Sequence, residues 1–434
     1  MSIRRLLVIA QDRLGEDMGG TSVRALELAR QLADSFEVTL AGVGEAPKEV
    51  AGLPCVGYRP HHPRELDAPL RRADAVLSLP AWPLVMRRLQ RSDARVVFDL
   101  YVPQTLEIAG GFPGARRSLR HTLTEFATDR LVDAFRIGHQ FICASEKQRD
   151  LWLGAMLAER LITLDRYDAD PSLRSLIDVV PFGVPADAPD GGGADRGAFS
   201  VAGIEPGDDV VLWNGGLWPW LDPFTSIRAV ALAAERRPRL RLVFMGAAKQ
   251  LPAQRTAGLA RDLARELGVL NRSVFFNDHW VPYERRGDWL VSATCGLSTH
   301  EDHVETRFAF RTRLLDCFWA RLPVVCTSGD ELADRVERQG LGEVVPPGDV
   351  PATADALVRV AERGRDAYKA GLDRAAAELA WPEVVRPLRA MLRAEPPPLA
   401  RPAARRPGHL LRSGLYRTGR LPLNLAGVRD WPRL

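Results

Sequence analysis

The sequence predicts an α/β protein made of two doubly wound parallel sheets, and three observations carry that reading. Short apolar, β-rich runs alternate with helical patterns along most of the 434 residues. The alternation breaks once, at a Gly- and Asp-rich stretch over residues 187–197 (DAPDGGGADRG), and then restarts. Each half is roughly 185 residues, enough for a core and a sheet of its own.

The first series opens with IRRLLVIAQ, an apolar run ending in a polar loop, followed by GGTSVRALELARQLA with apolar residues at helical spacing and by the β-rich FEVTLAGV. That is one β-α-β unit. DAVLSLP, ARVVFDLYV, QFICASEKQRDLWLGAML and IDVVPFGVP continue it, each an apolar run passing into polar residues or a helix. The second series comprises DDVVLWNGG, RLRLVFMGA, RSVFFNDHW, CGLSTH, RLPVVCTSG and GEVVPPG. Strands this uniformly apolar belong to a parallel sheet covered by helices on both faces. The expected organisation is an N-terminal domain over 1–190, a C-terminal domain over 191–375, a last amphipathic helix at about 375–395 returning to the first domain, and a Pro- and Arg-rich tail over 396–434. In such sheets ligands bind outside the carboxyl ends of the strands, so chemistry is expected in the strand-to-helix loops, along a cleft that the two domains face.

Composition excludes several classes. With 46% hydrophobic and 26% charged residues the chain is neither disordered nor collagenous. The longest apolar runs fall short of the roughly 18–20 residues a membrane span needs, and no cleavable signal opens the chain, so a cytoplasmic protein is expected. The five cysteines, Cys55, Cys143, Cys295, Cys317 and Cys326, form no C-x-x-C pair and lie mostly in apolar runs, which reads as buried thiols. The net charge of +4 is uneven, because the tail from residue 401 carries eight Arg and one Asp, net +7, and leaves −3 for the rest. No nucleic-acid motif accompanies the tail and the body opposes such binding.

Three loops hold candidate chemistry. In DRLGEDMGGTSVRALELA, Gly19 and Gly20 precede a helix whose free N–H groups suit an anion or a sugar hydroxyl, although the pair also suits a plain tight turn with Thr21 or Ser22 as cap. In DDVVLWNGGLWPWLDPFTSIRAV, Gly215 and Gly216 allow close backbone approach, while Trp218 and Trp220 either stack on a base or sugar ring or pack a domain surface. The third, LSTHEDHVETRFAFRTRLLDCFWARLPVVCTSGD, packs His300, Glu301, Asp302, His303, Glu305, Arg307, Arg311, Arg313 and Asp316 between two strand-like runs. Its H-E-D-H spacing matches no helix-borne metal pattern, so no metal is expected. Arg311 and Arg313 suit a diphosphate clamp, and Glu301 or Glu305 suits acceptance of sugar-hydroxyl hydrogen bonds, the bland alternative being an ion-pair network within the loop.

Taken in order, these segments resemble the GT-B glycosyltransferases, specifically glycosyltransferase family 4, over roughly residues 1–395. GGTSVRALELARQLA is similar to the family's glycine-rich acceptor-side loop, ICASEKQRD to its strand followed by Ser-Glu, DVVPFGV to its V-P-x-G-V turn, and RLLDCFWARLPVVCTSG to its L-L-E-A-M-A-C-G-L-P-V-V segment; the Trp of AAELAWPEVV fits the closing helix. The resemblance implies the GT-B fold, a nucleotide-diphosphate-sugar donor carrying UDP or GDP, retention of configuration with the leaving phosphate as base, and no cofactor or metal. By the same resemblance the acceptor is a saccharide, a lipid-linked or a small molecule, in cell-surface polysaccharide or glycoconjugate biosynthesis.

The pattern also departs from the family's. Of two glutamates separated by seven residues, the second falls on Asp316 and the first on Phe308, leaving Glu301 or Glu305 as the donor-sugar carboxylate. The Arg and Lys that grip the diphosphate are replaced near Gly216 and Leu221, so Arg311 and Arg313, with Lys249, are expected to supply the charge. A histidine of the N-terminal domain aligns with Tyr101, beside Asp99. His300, Asp316, Gly215 and Gly216 complete the implied donor side, and Gly19, Gly20, Arg24 and Tyr101 the acceptor side. Two other outcomes stay open, a sugar-nucleotide-binding protein with little turnover and a 2-epimerase or phosphorylase on the same fold. The tail interleaves Arg with Leu, Tyr and Trp, as a segment lying on anionic lipid at the inner membrane face does, or a solvated or domain-clasping tail.

Overall fold

The computed structural model describes residues 3–15, 18–111, 115–190, 197–246, 251–279 and 281–395, which fall into two compact units. Among the described residues, one takes in those of 3–105, 116–181 and 384–395, and the other those of 106–111, 115 and 182–383. The chain therefore changes unit after Thr105, Ala115, Pro181 and Glu383. The basic tail lies outside the described residues.

The N-terminal unit is built on eight strands, β1 (Arg5–Ile9), β2 (Glu37–Val43), β3 (Glu49–Val50), β4 (Leu53–Tyr58), β5 (Ala75–Ser78), β6 (Arg95–Asp99), β7 (Gln140–Cys143) and β8 (Ile177–Val179). They run in the order β3-β4-β2-β1-β5-β6-β7-β8, all parallel except for β3 against β4. The middle strands β5, β6 and β7 are buried along their whole length, as expected of strands with helices on both faces. Strand β4 is absent from the sequence reading, because Pro54 and Gly57 within LPCVGY read as loop. Pro54 is tolerated there because its neighbour is only the two-residue edge strand β3, paired through Cys55 N–H to the Lys48 carbonyl at 2.8 Å.

The helix Arg386–Arg393 also belongs to the N-terminal unit. Arg95, buried at 7% exposure, donates to the main-chain carbonyls of Met391, Leu392 and Ala394 at 2.5, 3.3 and 2.6 Å, and Arg389 donates to the carbonyl of Gln31 at 2.6 Å. The arginines thus satisfy carbonyls that a helix end leaves orphaned.

The C-terminal unit has six strands, β9 (Asp209–Trp213), β10 (Leu240–Phe244), β11 (Val274–Phe276), β12 (Cys295–Ser298), β13 (Val324–Thr327) and β14 (Gly342–Val345), all parallel and in the order β11-β10-β9-β12-β13-β14. The six apolar runs singled out in the second half of the sequence are these six strands. Strand order reverses between β9 and β12, and this switch point is where an open parallel sheet forms its crevice. The loops that follow β9, β12 and β13 therefore converge.

Candidate active site

Three loops meet at the carboxyl ends of the central strands of the C-terminal sheet. After β9 the chain turns through Asn214, Gly215 and Gly216 and enters the helix Pro223–Arg236, which Asp222 caps through the Thr225 N–H at 2.9 Å. Gly215 has φ +118°, a conformation that L side chains rarely adopt. A Cβ on Gly216 would stand 3.2 Å from Nε1 of Trp218, so the glycines set how closely the loop folds on itself. After β12 the chain continues through Thr299 and His300, and a short antiparallel bridge between His300 and Leu221 ties the two loops together, supported by the Asp222 N–H on the Thr299 carbonyl at 3.0 Å.

His300 is buried at 3% exposure and neither of its ring nitrogens has a hydrogen-bond partner, while its main-chain N–H donates to Thr327 Oγ1 at 3.0 Å. Burial, followed by the charges of Arg311 and Arg313, holds the imidazole well below its ordinary value, so the ring is neutral. His303 caps the five-residue helix Val304–Phe308, its Nδ1 accepting from the Thr306 N–H at 3.3 Å. Glu305 in that helix is 4% exposed; its Oε2 makes no hydrogen bond and lies 3.8 Å from Nδ1 of His303. Burial first of all, and the carboxylate of Asp330, push Glu305 up to about 7 against the pull of Arg311. Glu301 is exposed at the loop surface, its carbonyl accepting from Thr306 Oγ1 at 2.9 Å.

The two arginines expected to act together are used differently. Arg311 is almost wholly buried, ion-paired through Nε with Asp330 and bonded through its NH2 groups to Thr327 at 3.1–3.2 Å. Asp330 in turn caps the helix Glu331–Gln339 through the N–H groups of Leu332 and Ala333. The expectation that Arg311 clamps a ligand is corrected on that ground: its charge neutralises a buried capping carboxylate 19 residues downstream. Arg313 is the cation that remains at the glycine loop. One NH2 donates to the Gly216 carbonyl at 3.1 Å, the guanidinium lies 4.9 Å from the Trp213 ring centre, and the other NH2 is buried without a partner. Burial lowers its value to about 10, which leaves it charged at neutral pH.

Asp316, expected beside the nucleotide, is paired with Nε of Arg286 at 2.9 Å. Arg286 itself lies against Tyr283 and Trp319, with its guanidinium carbon 3.6 and 4.4 Å from the ring centres. Lys249 lies outside the described residues. The sequence reading overlooked Glu107, which the short segment Leu106–Ala115 carries into the C-terminal unit and which burial and then the charge of Glu305 raise to about 8. Residues 102–120 carry no recognisable pattern, so nothing in the sequence points to it.

In the N-terminal unit, Gly19 is the uncapped N-terminal residue before the helix Gly20–Leu32, and a Cβ on Gly20 would lie 3.9 Å from the Tyr101 hydroxyl. These two glycines and Tyr101 are therefore brought together. Arg24 is not available to a ligand, which corrects its expected place on the acceptor side. It is 1% exposed, bonds both carboxylate oxygens of Asp99 at 2.6 and 3.2 Å, and donates to the carbonyls of Val180 and Pro181 at 2.8 and 3.0 Å. At the switch point of this sheet, between β1 and β5, Gln11 donates to Ser78 Oγ at 3.1 Å while its buried Oε1 has no partner. Among the described residues no group of three or more His, Cys, Asp or Glu is placed to hold a metal ion, and no helix is long and apolar enough to cross a membrane.

No protein-family model and no curated protein matches the sequence. Solved structures do match the fold. HepE from Anabaena, solved in complex with UDP-glucose, superposes with a TM-score of 0.64 at 14% identity, over 89% of this chain and 98% of that one. A UDP-forming trehalose-phosphate synthase from Burkholderia xenovorans gives 0.62 at 14% identity over 91% and 99%. WaaG, described as a glycosyltransferase involved in lipopolysaccharide biosynthesis, gives 0.58 at 16% identity over 89% and 98%. The two parallel-sheet units are those of the GT-B fold.

Proposed function

We propose that this chain is a glycosyltransferase that takes a sugar from a nucleoside diphosphate sugar, UDP being the first carrier to test, and delivers it to an acceptor hydroxyl. The observation that carries the reading is the set of buried polar atoms without partners at the switch point of the C-terminal sheet: both ring nitrogens of His300, Oε2 of Glu305 and one NH2 of Arg313. Buried polar groups in native proteins are almost always satisfied, and leaving one unmade costs about 1–3 kcal/mol. A ligand with hydroxyls and phosphates satisfies all four. The shared fold with HepE, whose structure holds UDP-glucose, supports the choice of carrier.

In the proposed reaction the bond from the anomeric carbon to the β-phosphate oxygen breaks, the acceptor oxygen bonds to that carbon, and the acceptor proton passes to the departing diphosphate. Negative charge grows on the phosphates as they leave. Arg313 and the backbone of the Gly215–Gly216 turn meet that charge without a metal ion. Glu305 or Glu301 accepts hydrogen bonds from the sugar hydroxyls, and neutral His300 both donates and accepts. Retention follows if the acceptor attacks on the face the phosphate leaves, with the phosphate as base and no protein nucleophile. The acceptor falls to the N-terminal unit, where Gly19, Gly20 and Tyr101 gather, and a saccharide or lipid-linked acceptor of the cell surface is in keeping with the basic composition of the tail.

The test is nucleotide release from a panel of UDP, GDP, ADP and dTDP sugars with mixed acceptors, with and without chelator, followed by proton NMR of the product's anomeric signal. Release of one nucleotide, insensitive to chelator and giving a product of unchanged configuration, is expected. A second reading, binding with little turnover, is favoured by the use of Arg311 on Asp330; tight nucleotide-sugar binding without release establishes it. Consumption of inorganic phosphate, or a product epimerised at C2, identifies a phosphorylase or an epimerase instead.

A further inference from the structure

The loop after β9 holds a feature that the hydrogen-bonded site does not use. Trp218 and Trp220 flank Pro219 and stack on each other, ring centres 5.0 Å apart and planes within 7°. Both indoles are half-buried. The core below is complete without them, since Trp213 is fully buried against Phe244 and Leu217 and Leu221 are buried as well. A stacked pair of large aromatic side chains that stays part-exposed on a loop, with buried partnerless polar atoms on the neighbouring loop, is the kind of surface that marks a binding site. Its place is defined: the Leu221 N–H returns to the Trp218 carbonyl at 3.0 Å, and Leu221 is bridged to His300. The stack is thereby anchored within the loop whose end pairs, backbone to backbone, with the residue that carries the partnerless imidazole.

We infer that the Trp218–Trp220 stack is a platform for a saccharide ring, which lays its C–H face on an indole and turns its hydroxyl rim to the indole N–H groups and to His300. A pyranose has just this division, an apolar face and a rim that both donates and accepts, and it needs an aromatic face flanked by polar atoms of mixed character. The ring belongs either to the sugar of a nucleotide sugar or to a glycan acceptor. The inference deepens the proposed transferase reading and rests on it for the site's location.

The experiment is titration calorimetry, with ligand-observed saturation-transfer NMR, on the full chain and on Trp218→Ala, Trp220→Ala and Trp220→Phe, using UDP, UDP-glucose and maltotriose as probes. Circular dichroism and melting temperature confirm that each variant is folded. Loss of an indole is expected to weaken a sugar-bearing probe about five- to tenfold while leaving UDP unchanged, with Trp220→Phe keeping most of the affinity. Loss confined to UDP-glucose assigns the platform to the donor sugar, and loss confined to maltotriose assigns it to a glycan acceptor. Equal weakening of UDP and UDP-glucose, or no change with any probe, overturns the platform. If wild type binds maltotriose through these indoles but no nucleotide, the transferase reading falls while the platform stands.

Discussion

Arg311 and Arg313 sit two residues apart and have different surroundings, a buried ion pair for one and a partnerless NH2 for the other, which a pair of substitutions separates. Arg311→Ala leaves Asp330 buried and charged with no counter-ion, and the expected result is a loss of about 3–5 kcal/mol of stability, read as a fall in melting temperature before any effect on ligand affinity. Arg313→Ala removes a cation whose NH2 already lacks a partner. Its expected result is weakened nucleotide binding with a melting temperature close to wild type. Should the two variants exchange behaviours, the assignment of structural and ligand-facing arginine is wrong. Arg24→Ala resembles Arg311→Ala, because Asp99 is buried at 3% exposure and loses its partner.

Glu305 gives a pH signature. Its carboxyl titrates at an ordinary 4.5 in the unfolded chain and near 7 in the fold, so between those values the folded state binds more protons. Stability from this group is therefore full below about 4.5, declines as pH rises to about 7, and changes no further above. Glu305→Gln removes the dependence, and its advantage over wild type in the ligand-free protein is expected to grow across that window to on the order of 1–3 kcal/mol at pH 8. A melting-temperature difference that stays constant from pH 4.5 to 8 refutes the shifted carboxyl.

At the scale of elements, the loops are shaped by caps and glycines more than by the strands they extend. Asp222, Asp330 and Asp349 each accept main-chain N–H bonds at the start of a helix, so three of the C-terminal unit's strand-to-helix turns end on a capping aspartate. Asp222→Ala is expected to cost about 1 kcal/mol and to loosen the turn that carries the tryptophans, measurable as faster hydrogen exchange over residues 214–224. The closing helix Arg386–Arg393 behaves as part of the N-terminal unit. Ending the chain at Glu383 strips Arg95 of three carbonyl partners. Destabilisation of the N-terminal unit is the expected result, seen as proteolysis within residues 3–105 and 116–181 while the C-terminal unit stays protected; unchanged protection of the N-terminal unit contradicts the packing.

Across the whole molecule, the strand pattern was readable because parallel strands covered on both faces must be apolar at nearly every position. All six strands of the C-terminal sheet announce themselves in this way, whereas β4 does not, since Pro54 and Gly57 are the residues of turns: Pro54 is harmless because it faces the two-residue edge strand, and Gly57 sits where a Cβ would run into the Gly44 carbonyl. The positions of the candidate loops were readable for the same reason, each lying where an apolar run ends. What each side chain does there was not readable, because the groups that decide it are distant in sequence: Asp99 for Arg24, 75 residues away, and Asp330 for Arg311, 19 away. Glu107 enters the C-terminal unit only because the chain between Leu106 and Ala115 folds with it. Local patterning dictates which segments form strands and helices, since burial and backbone geometry act residue by residue. Which charges are neutralised and which stay open to a ligand depends on partners brought together by the sheet order, and that is a property of the fold alone.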